Sequence, residues 1–378
     1  MNIMDYMKKD ERIALELREL YERYGYTKVT VSDFEEYELY AEHRSFLSES
    51  NLITFMNTDA QLMALRPDVT LSIVKNTSAF QSEIAQKNYY VESVYRFMPE
   101  NSDYKRIDQL GIECIDGNTL YANAEVLNMA LESLSFINDR FIMDMSHMGF
   151  VSGLLSHINL GDEVNKSIFA NLHTKNVHDM SAVLDSTDIS PEDKARILKL
   201  CSLDGKFEST IERAREIVIN DQMEEALVEL EEVYRILSLC GCEEYLDRIN
   251  LDFSVINDLD YYNGIIFRGY IENLSKVVLS GGRYDNLLRK LGKQRKGIGF
   301  AISLDELDRY FESKKQYDFD IVILYQEGAD LHRLLSLVRE YVSKGRKVRV
   351  EQMENSKNLT YTYRELYHLD GGHLKSEV

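Results

Sequence analysis

Long apolar runs are missing from this 378-residue chain: nowhere do about eighteen apolar residues follow one another, which excludes a membrane-spanning helix. The first ten residues, Met1 to Asp10, lack the apolar stretch and small-residue cleavage site of an export signal, so a cytoplasmic location is expected. Cysteine is scarce: Cys114, Cys201, Cys240 and Cys242 are scattered, and only the last two are close. Paired zinc cysteines stand two to four residues apart, and the eight histidines form no ligand-spaced cluster, so neither a metal nor a disulfide is expected. Positive charge is also short, with 44 Lys and Arg against 64 Asp and Glu, a net charge of −20. A chain that grips RNA must neutralise several phosphates, so this balance weighs against a tRNA partner. No Gly-Lys-Ser/Thr follows any glycine-rich stretch, which excludes a P-loop, and no internal repeat or low-complexity linker is present.

What is there is ample material for packed cores: 44% hydrophobic residues, including 24 tyrosines. The length exceeds the usual size of one core, so two or three domains are expected. Ile13, Leu17, Leu20 and Tyr21 fall at helical spacing between Glu11 and Tyr24, and Gly25 ends that helix. The β-branched alternation of Tyr26 to Val31 predicts a strand, as do Ile53 to Phe55, Lys87 to Val94 and Gln109 to Ile115. Asn123 to Ile137 reads as a helix capped by Asn123. From about residue 150 to 250 helical spacing prevails, which predicts an all-helical insertion in which His173 and His178 are surface residues. Strands return at Leu251 to Ile256, Gly264 to Ile271 and Lys276 to Leu279. From Tyr317 a buried strand (Phe319 to Tyr325), an amphipathic helix (Leu331 to Val342) and a strand (Lys347 to Val350) predict a small α/β unit with a parallel pair. The expected domains are residues 1–316 and 317–378.

Four segments carry chemistry. They are Arg66-Pro67-Asp68-Val69-Thr70; Tyr95-Arg96-Phe97 with Gln109 to Glu113; Leu259-Asp260-Tyr261-Tyr262-Asn263-Gly264; and Gly281-Gly282-Arg283-Tyr284-Asp285 with Gly297 to Ile302. Singly, each has an ordinary reading: a turn, a solvated strand face, a half-buried tyrosine pair, a bulge. In this order and spacing, however, they resemble the class II synthetase core of the histidyl-tRNA synthetases over roughly residues 10 to 310. That resemblance implies an α+β fold: an antiparallel sheet flanked by helices, with the helical insertion and the C-terminal unit as a truncated anticodon-type domain.

The departures from the family pattern bear on function. The second-motif arginine is kept as Arg96, but the glutamate two residues later is Met98, and the loop Pro99 to Asp103 is short and not basic. The arginine that precedes the family's Leu-Asp-Tyr-Tyr falls on Asn257, the third-motif arginine on Glu306, and the first-motif proline on Ser32. An arginine that offsets charge in phosphoryl chemistry is worth roughly 10³ to 10⁵ in rate. A carboxylate near a polyanion repels it by about 4 kcal/mol at 4 Å and an effective dielectric of 20. Loss of adenylation is therefore expected, and no catalytic residue is assigned.

The amino-acid site of the family is kept better. By resemblance, Asp68, Thr70 and Gln109 hold the α-ammonium of histidine, Glu113 and Tyr262 meet its imidazole, and Tyr284 closes one wall. Arg96 is left to face the carboxylate in place of the arginine lost at Asn257. Residues 318–378 hold nine Lys and Arg against ten Asp and Glu, so no basic groove is evident there. This set of departures resembles the regulatory subunits of ATP phosphoribosyltransferase. The resemblance implies a short-form catalytic chain as partner, a homodimeric core inside a hetero-oligomer, histidine as effector, and no cofactor. An active histidyl-tRNA synthetase and an RNA-binding or amino-acid-sensing module of the same fold are the alternatives.

Overall fold

The structure is a computed structural model and describes residues 7, 9–41, 52–77, 84–98, 103–117, 119–239, 243–256, 261–312, 317–370 and 373–377. The chain divides into two compact units, Ile13–Leu307 and Asp308–Val378 with Met1–Arg12.

The chain opens with α1 (Lys9–Arg23), most of which belongs to the larger unit and whose Ile13, Leu17 and Tyr21 are buried along one face, and Gly25 ends the turn at φ 82°. Next come β1 (Thr27–Lys28), β2 (Phe34–Glu36), α2 (Tyr37–Ala41), β3 (Thr54–Met56), β4 (Leu62–Leu65) and α3 (Val69–Lys75). The long hairpin β5 (Gln86–Met98) and β6 (Asp103–Ile115) leads to α4 (Thr119–Ile137) and β7 (Phe141–His147). The insertion holds α5 (Met148–Ile158), α6 (Asp162–His173), α7 (Val177–Asp185), α8 (Pro191–Leu200), β8 (Asp204–Lys206), α9 (Phe207–Arg215), α10 (Asp221–Leu239) and α11 (Glu243–Leu246). The chain then returns through β9 (Ile249–Asp252), β10 (Ile265–Ile271), β11 (Leu279–Arg283), α12 (Asp285–Lys290), β12 (Gly297–Ser303) and α13 (Leu304–Glu312). Nine strands form one sheet in the order β1-β5-β6-β12-β11-β10-β7-β9-β8, and β2-β4-β3 form a small second sheet. The central six strands, β5 to β7, are antiparallel throughout.

Several expectations are corrected. The strand expected at Tyr26 to Val31 shrinks to Thr27–Lys28, because the carbonyls of Val31 and Ser32 accept from the Arg66 guanidinium instead of a ladder. Asn123 is no cap: α4 starts at Thr119, and Asn123 is buried inside it, bonded to Glu229 and Arg283. The insertion is not wholly helical, since β8 pairs antiparallel with β9 through Gly205 at φ 126°. The strand expected at Lys276 to Leu279 lies further on, as β11 (Leu279–Arg283), and takes in Gly281 and Gly282. His173 and His178 are exposed, as expected.

In the smaller unit, β13 (Phe319–Tyr325), α14 (Leu331–Ser343), β14 (Val348–Gln352), β15 (Tyr363–Asp370) and β16 (His373–Glu377) form a sheet ordered β14-β13-β15-β16. β13 pairs parallel with both β14 and β15, and α14 supplies the crossover that joins β13 to β14. Asp330 caps α14 by accepting from the amides of His332 and Arg333 at 3.0 Å, and Leu334 and Leu337 pack on Ile321, Ile323 and Leu369. The last two strands were not foreseen from the sequence. Among the described residues no helix is long and apolar enough to cross a membrane, and no group of three metal-ligating side chains forms.

Candidate functional site

The ladder register puts the motif residues on one face. Glu113 of β6 pairs with Asn88 on one side and Gly299 on the other; Gly299 pairs with Gly282, and Gly282 with Ile266. Side chains alternate along a strand, so Gln109, Gly111 and Glu113 share that face with Tyr90 and Arg96 of β5. Glycine is required where these side chains lie flat: a Cβ on Gly299 would sit 2.1 Å from Glu113 Oε2 and 2.3 Å from the Ile112 carbonyl oxygen. A Cβ on Gly297 would sit 2.4 Å from the Tyr284 ring. The glycines of the fourth segment thus make room for the two buried groups of the site rather than forming a bulge.

Pro67 and Asp68 lead into α3. Asp68 Oδ1 caps that helix by accepting from Leu71 N at 2.8 Å, which fixes the carboxylate at the helix mouth. Burial raises the Asp68 carboxyl above its usual range, opposed by the nearby Arg96 charge. Two residues on, Thr70 Oγ1 donates to Glu113 Oε1 at 2.5 Å. Glu113 is 2% exposed, and burial pushes it up to about 8, against the Thr70 hydrogen bond that favours the ionised form. Its second oxygen, Oε2, and the hydroxyl of Tyr284, also 2% exposed, make no hydrogen bond of normal geometry, although the two groups face one another and each bears on the other's titration. Two buried polar groups set side by side without a well-formed hydrogen bond keep donor and acceptor capacity for a polar ligand.

Tyr262 packs tilted against Tyr261, with ring centroids 4.5 Å apart, and Tyr261 meets Tyr284 edge-on at 6.3 Å. Burial raises all three phenols, so each stays neutral and can donate a hydrogen bond. Arg96 Nε donates to the Pro67 carbonyl at 2.9 Å, which holds its guanidinium beside Asp68. Gln109 lies on the site face of β6, opposite Glu92 and Ser303. The structure thus gathers Asp68, Thr70, Arg96, Gln109, Glu113, Tyr262 and Tyr284 around one face.

Two motif arginines belong to the scaffold. Arg66 is fully buried and bonds the carbonyls of Val31, Ser32 and Ser93 and the carboxylates of Asp33 and Glu92. Arg283 bonds Asp285 at 2.9 Å and Asn123 at 3.1 Å, and Asp285 accepts from Gly297 N at 2.9 Å, which ties β11 to β12 beneath Tyr284. His147, missed from the sequence, caps α5 through Nδ1 and meets Glu229 of α10 at 2.9 Å through Nε2. Arg268 on β10 carries no local motif, and the register alone puts it on the same sheet face as Glu113.

Of the departures, Glu306 lies in the first turn of α13 with its carboxylate 3.6 Å from Lys276. Met98 is half-buried at the end of β5, and the Ser32 hydroxyl accepts from Phe34 N in a local turn. Asn257 and residues 99–102 of the shortened loop lie outside the described residues, as do Cys240 and Cys242.

A family model described as histidyl-tRNA synthetase matches residues 4–307. The ATP phosphoribosyltransferase regulatory subunit of Oceanobacillus iheyensis is 28% identical over 94% of this chain and 87% of its own length. That of Caldanaerobacter subterraneus subsp. tengcongensis is 30% identical over 81% of this chain and 80% of its own. In fold, the chain is similar to the crystal structure of an ATP phosphoribosyltransferase regulatory subunit/histidyl-tRNA synthetase from Bacillus halodurans. The TM-score there is 0.69 at 23% identity, with 95% of this chain and 93% of the other covered.

Proposed function

This chain belongs to the histidyl-tRNA synthetase family, on the branch of ATP phosphoribosyltransferase regulatory subunits, and from that premise we propose that it is a non-catalytic regulator whose retained amino-acid site senses histidine. Its partner is the short catalytic form of ATP phosphoribosyltransferase, which joins ATP to phosphoribosyl pyrophosphate in the first step of histidine biosynthesis. The core is a homodimer within a larger hetero-oligomer, and it takes no tRNA.

One observation carries this reading: the buried polar atoms of Glu113 and Tyr284, with no hydrogen bond of normal geometry between them, stand beside Asp68 and Thr70, while the third-motif arginine is Glu306. The first half supports a retained small-molecule site, and the second supports loss of triphosphate chemistry. Asp68 accepts from the α-ammonium, joined by the lone pairs of Thr70 Oγ1 that remain after it donates to Glu113, and by the Gln109 carbonyl. Glu113 meets an imidazole nitrogen, Tyr262 and Tyr284 complete the ring's surroundings, and Arg96 faces the carboxylate.

For regulation, histidine must bind the active and inactive assemblies with different affinity, since a ligand of equal affinity shifts nothing. The catalytic chain needs this subunit for its active conformation, and histidine favours the inactive one. Histidine-dependent ATP–pyrophosphate exchange tests the loss of catalysis: we expect no exchange above background. Clear exchange would overturn the arginine argument.

A further inference from the structure

The register raises a second arginine to the site. β10 presents Ile266, Arg268 and Tyr270 on the same face as Glu113, since Ile266 pairs with Gly282, which leads through Gly299 to Glu113. Arg268 itself pairs with Ser280 of β11, Ser280 with Ala301 of β12, and Ala301 with Gly111 of β6. Between Arg268 and the far wall at Tyr90 the floor therefore consists of Ser280, Ala301 and Gly111, side chains too small to stand in the way. Ser280 is exposed and Ala301 half-exposed, so this floor is open.

The span fits one small amino acid. Three strand spacings of about 4.8 Å and two residues of about 3.3 Å put the Cα atoms of Glu113 and Arg268 about 16 Å apart. A glutamate reaching from one side, an arginine from the other and histidine between them fill that distance. The Arg268 guanidinium donates to the carbonyl of Ile256 at 3.0 Å, the residue directly before the segment leading to Tyr261 and Tyr262. Among the described residues no carboxylate forms an ion pair with Arg268, although Asp144 is its cross-strand neighbour on β7, and its other polar neighbour is the Tyr270 hydroxyl. Arg96 and Arg268 both bear electrostatically on Tyr262.

We infer that Arg268 is the second carboxylate anchor of the site, restoring from β10 the positive charge that the chain lacks at Asn257, with Arg96 as the first. The inference rests on the reading that histidine binds here. A guanidinium on a carboxylate is a charge-assisted contact, and its removal lowers affinity by about tenfold or more. A ligand without the carboxylate does not feel the loss.

Calorimetric titration of the full chain with histidine and with histidinol, the analogue that lacks the carboxylate, tests this. Arg268→Gln should weaken histidine by about tenfold or more and leave histidinol unchanged, which also shows that the variant folds. Arg268→Lys, a point charge without the planar fork, should recover part of the loss. Unchanged preference for histidine over histidinol in Arg268→Gln would overturn the anchor and leave the site reading standing. Failure of histidine to bind the unaltered chain, alone and with its catalytic partner, would overturn both.

Discussion

The hydroxyl of Thr70 donates to one oxygen of Glu113 at 2.5 Å and leaves the other oxygen buried without a well-formed hydrogen bond. One turn of α3 thereby sets both the orientation and the unmet capacity of the most buried carboxyl in the site. Because Thr70 follows Asp68 by two residues, the same short segment also fixes the carboxylate that receives an ammonium.

The first prediction is a pH dependence. Burial pushes Glu113 up to about 8, so below that pH it carries its proton and can donate it to a neutral imidazole nitrogen. Above pH 8 that donated bond needs a proton taken up, and an ionised Glu113 accepts from the imidazole N–H instead, so binding through the donated bond weakens as pH rises, by up to about tenfold per unit. Titrations between pH 7 and 9 on the unaltered chain and on Glu113→Gln separate this from loss of the ligand's own ammonium proton, which affects both equally. A pH profile shared by the two proteins would refute the role assigned to Glu113.

A second prediction concerns Arg66. Its guanidinium is fully buried and serves three carbonyls and two carboxylates that connect β4, β5 and the strand-poor stretch at Val31 to Asp33. Arg66→Ala leaves Glu92 and several carbonyls without a donor, at a cost of about 3–5 kcal/mol. Chemical denaturation should show a lower midpoint with an unchanged slope. A loss below about 1 kcal/mol would mean that water replaces the guanidinium, and that the segment is not held by it.

Much of this was legible in the sequence where local periodicity governs. The amphipathic face of α1, the strands β5 and β6, and the β13-α14-β14 unit follow from side-chain spacing alone. Asn123 was misjudged because asparagine favours helix starts locally, whereas its partners Glu229 and Arg283 lie more than a hundred residues away. Arg66 looked like part of a site because it adjoins Asp68, yet the proline between them sends the two side chains to different tasks. Arg268 was invisible for the opposite reason: no motif surrounds it, and only four strands in correct register bring it to the face of Glu113.

The most direct measurement is the rate at which the short catalytic phosphoribosyltransferase chain condenses ATP with phosphoribosyl pyrophosphate, with and without this chain, across a range of histidine. The account predicts that adding the chain raises the rate, that histidine lowers it only in the complex, and that Glu113→Ala keeps the activation while losing the histidine response. A rate indifferent to the chain, or a Glu113→Ala complex inhibited as strongly as the unaltered one, would contradict it.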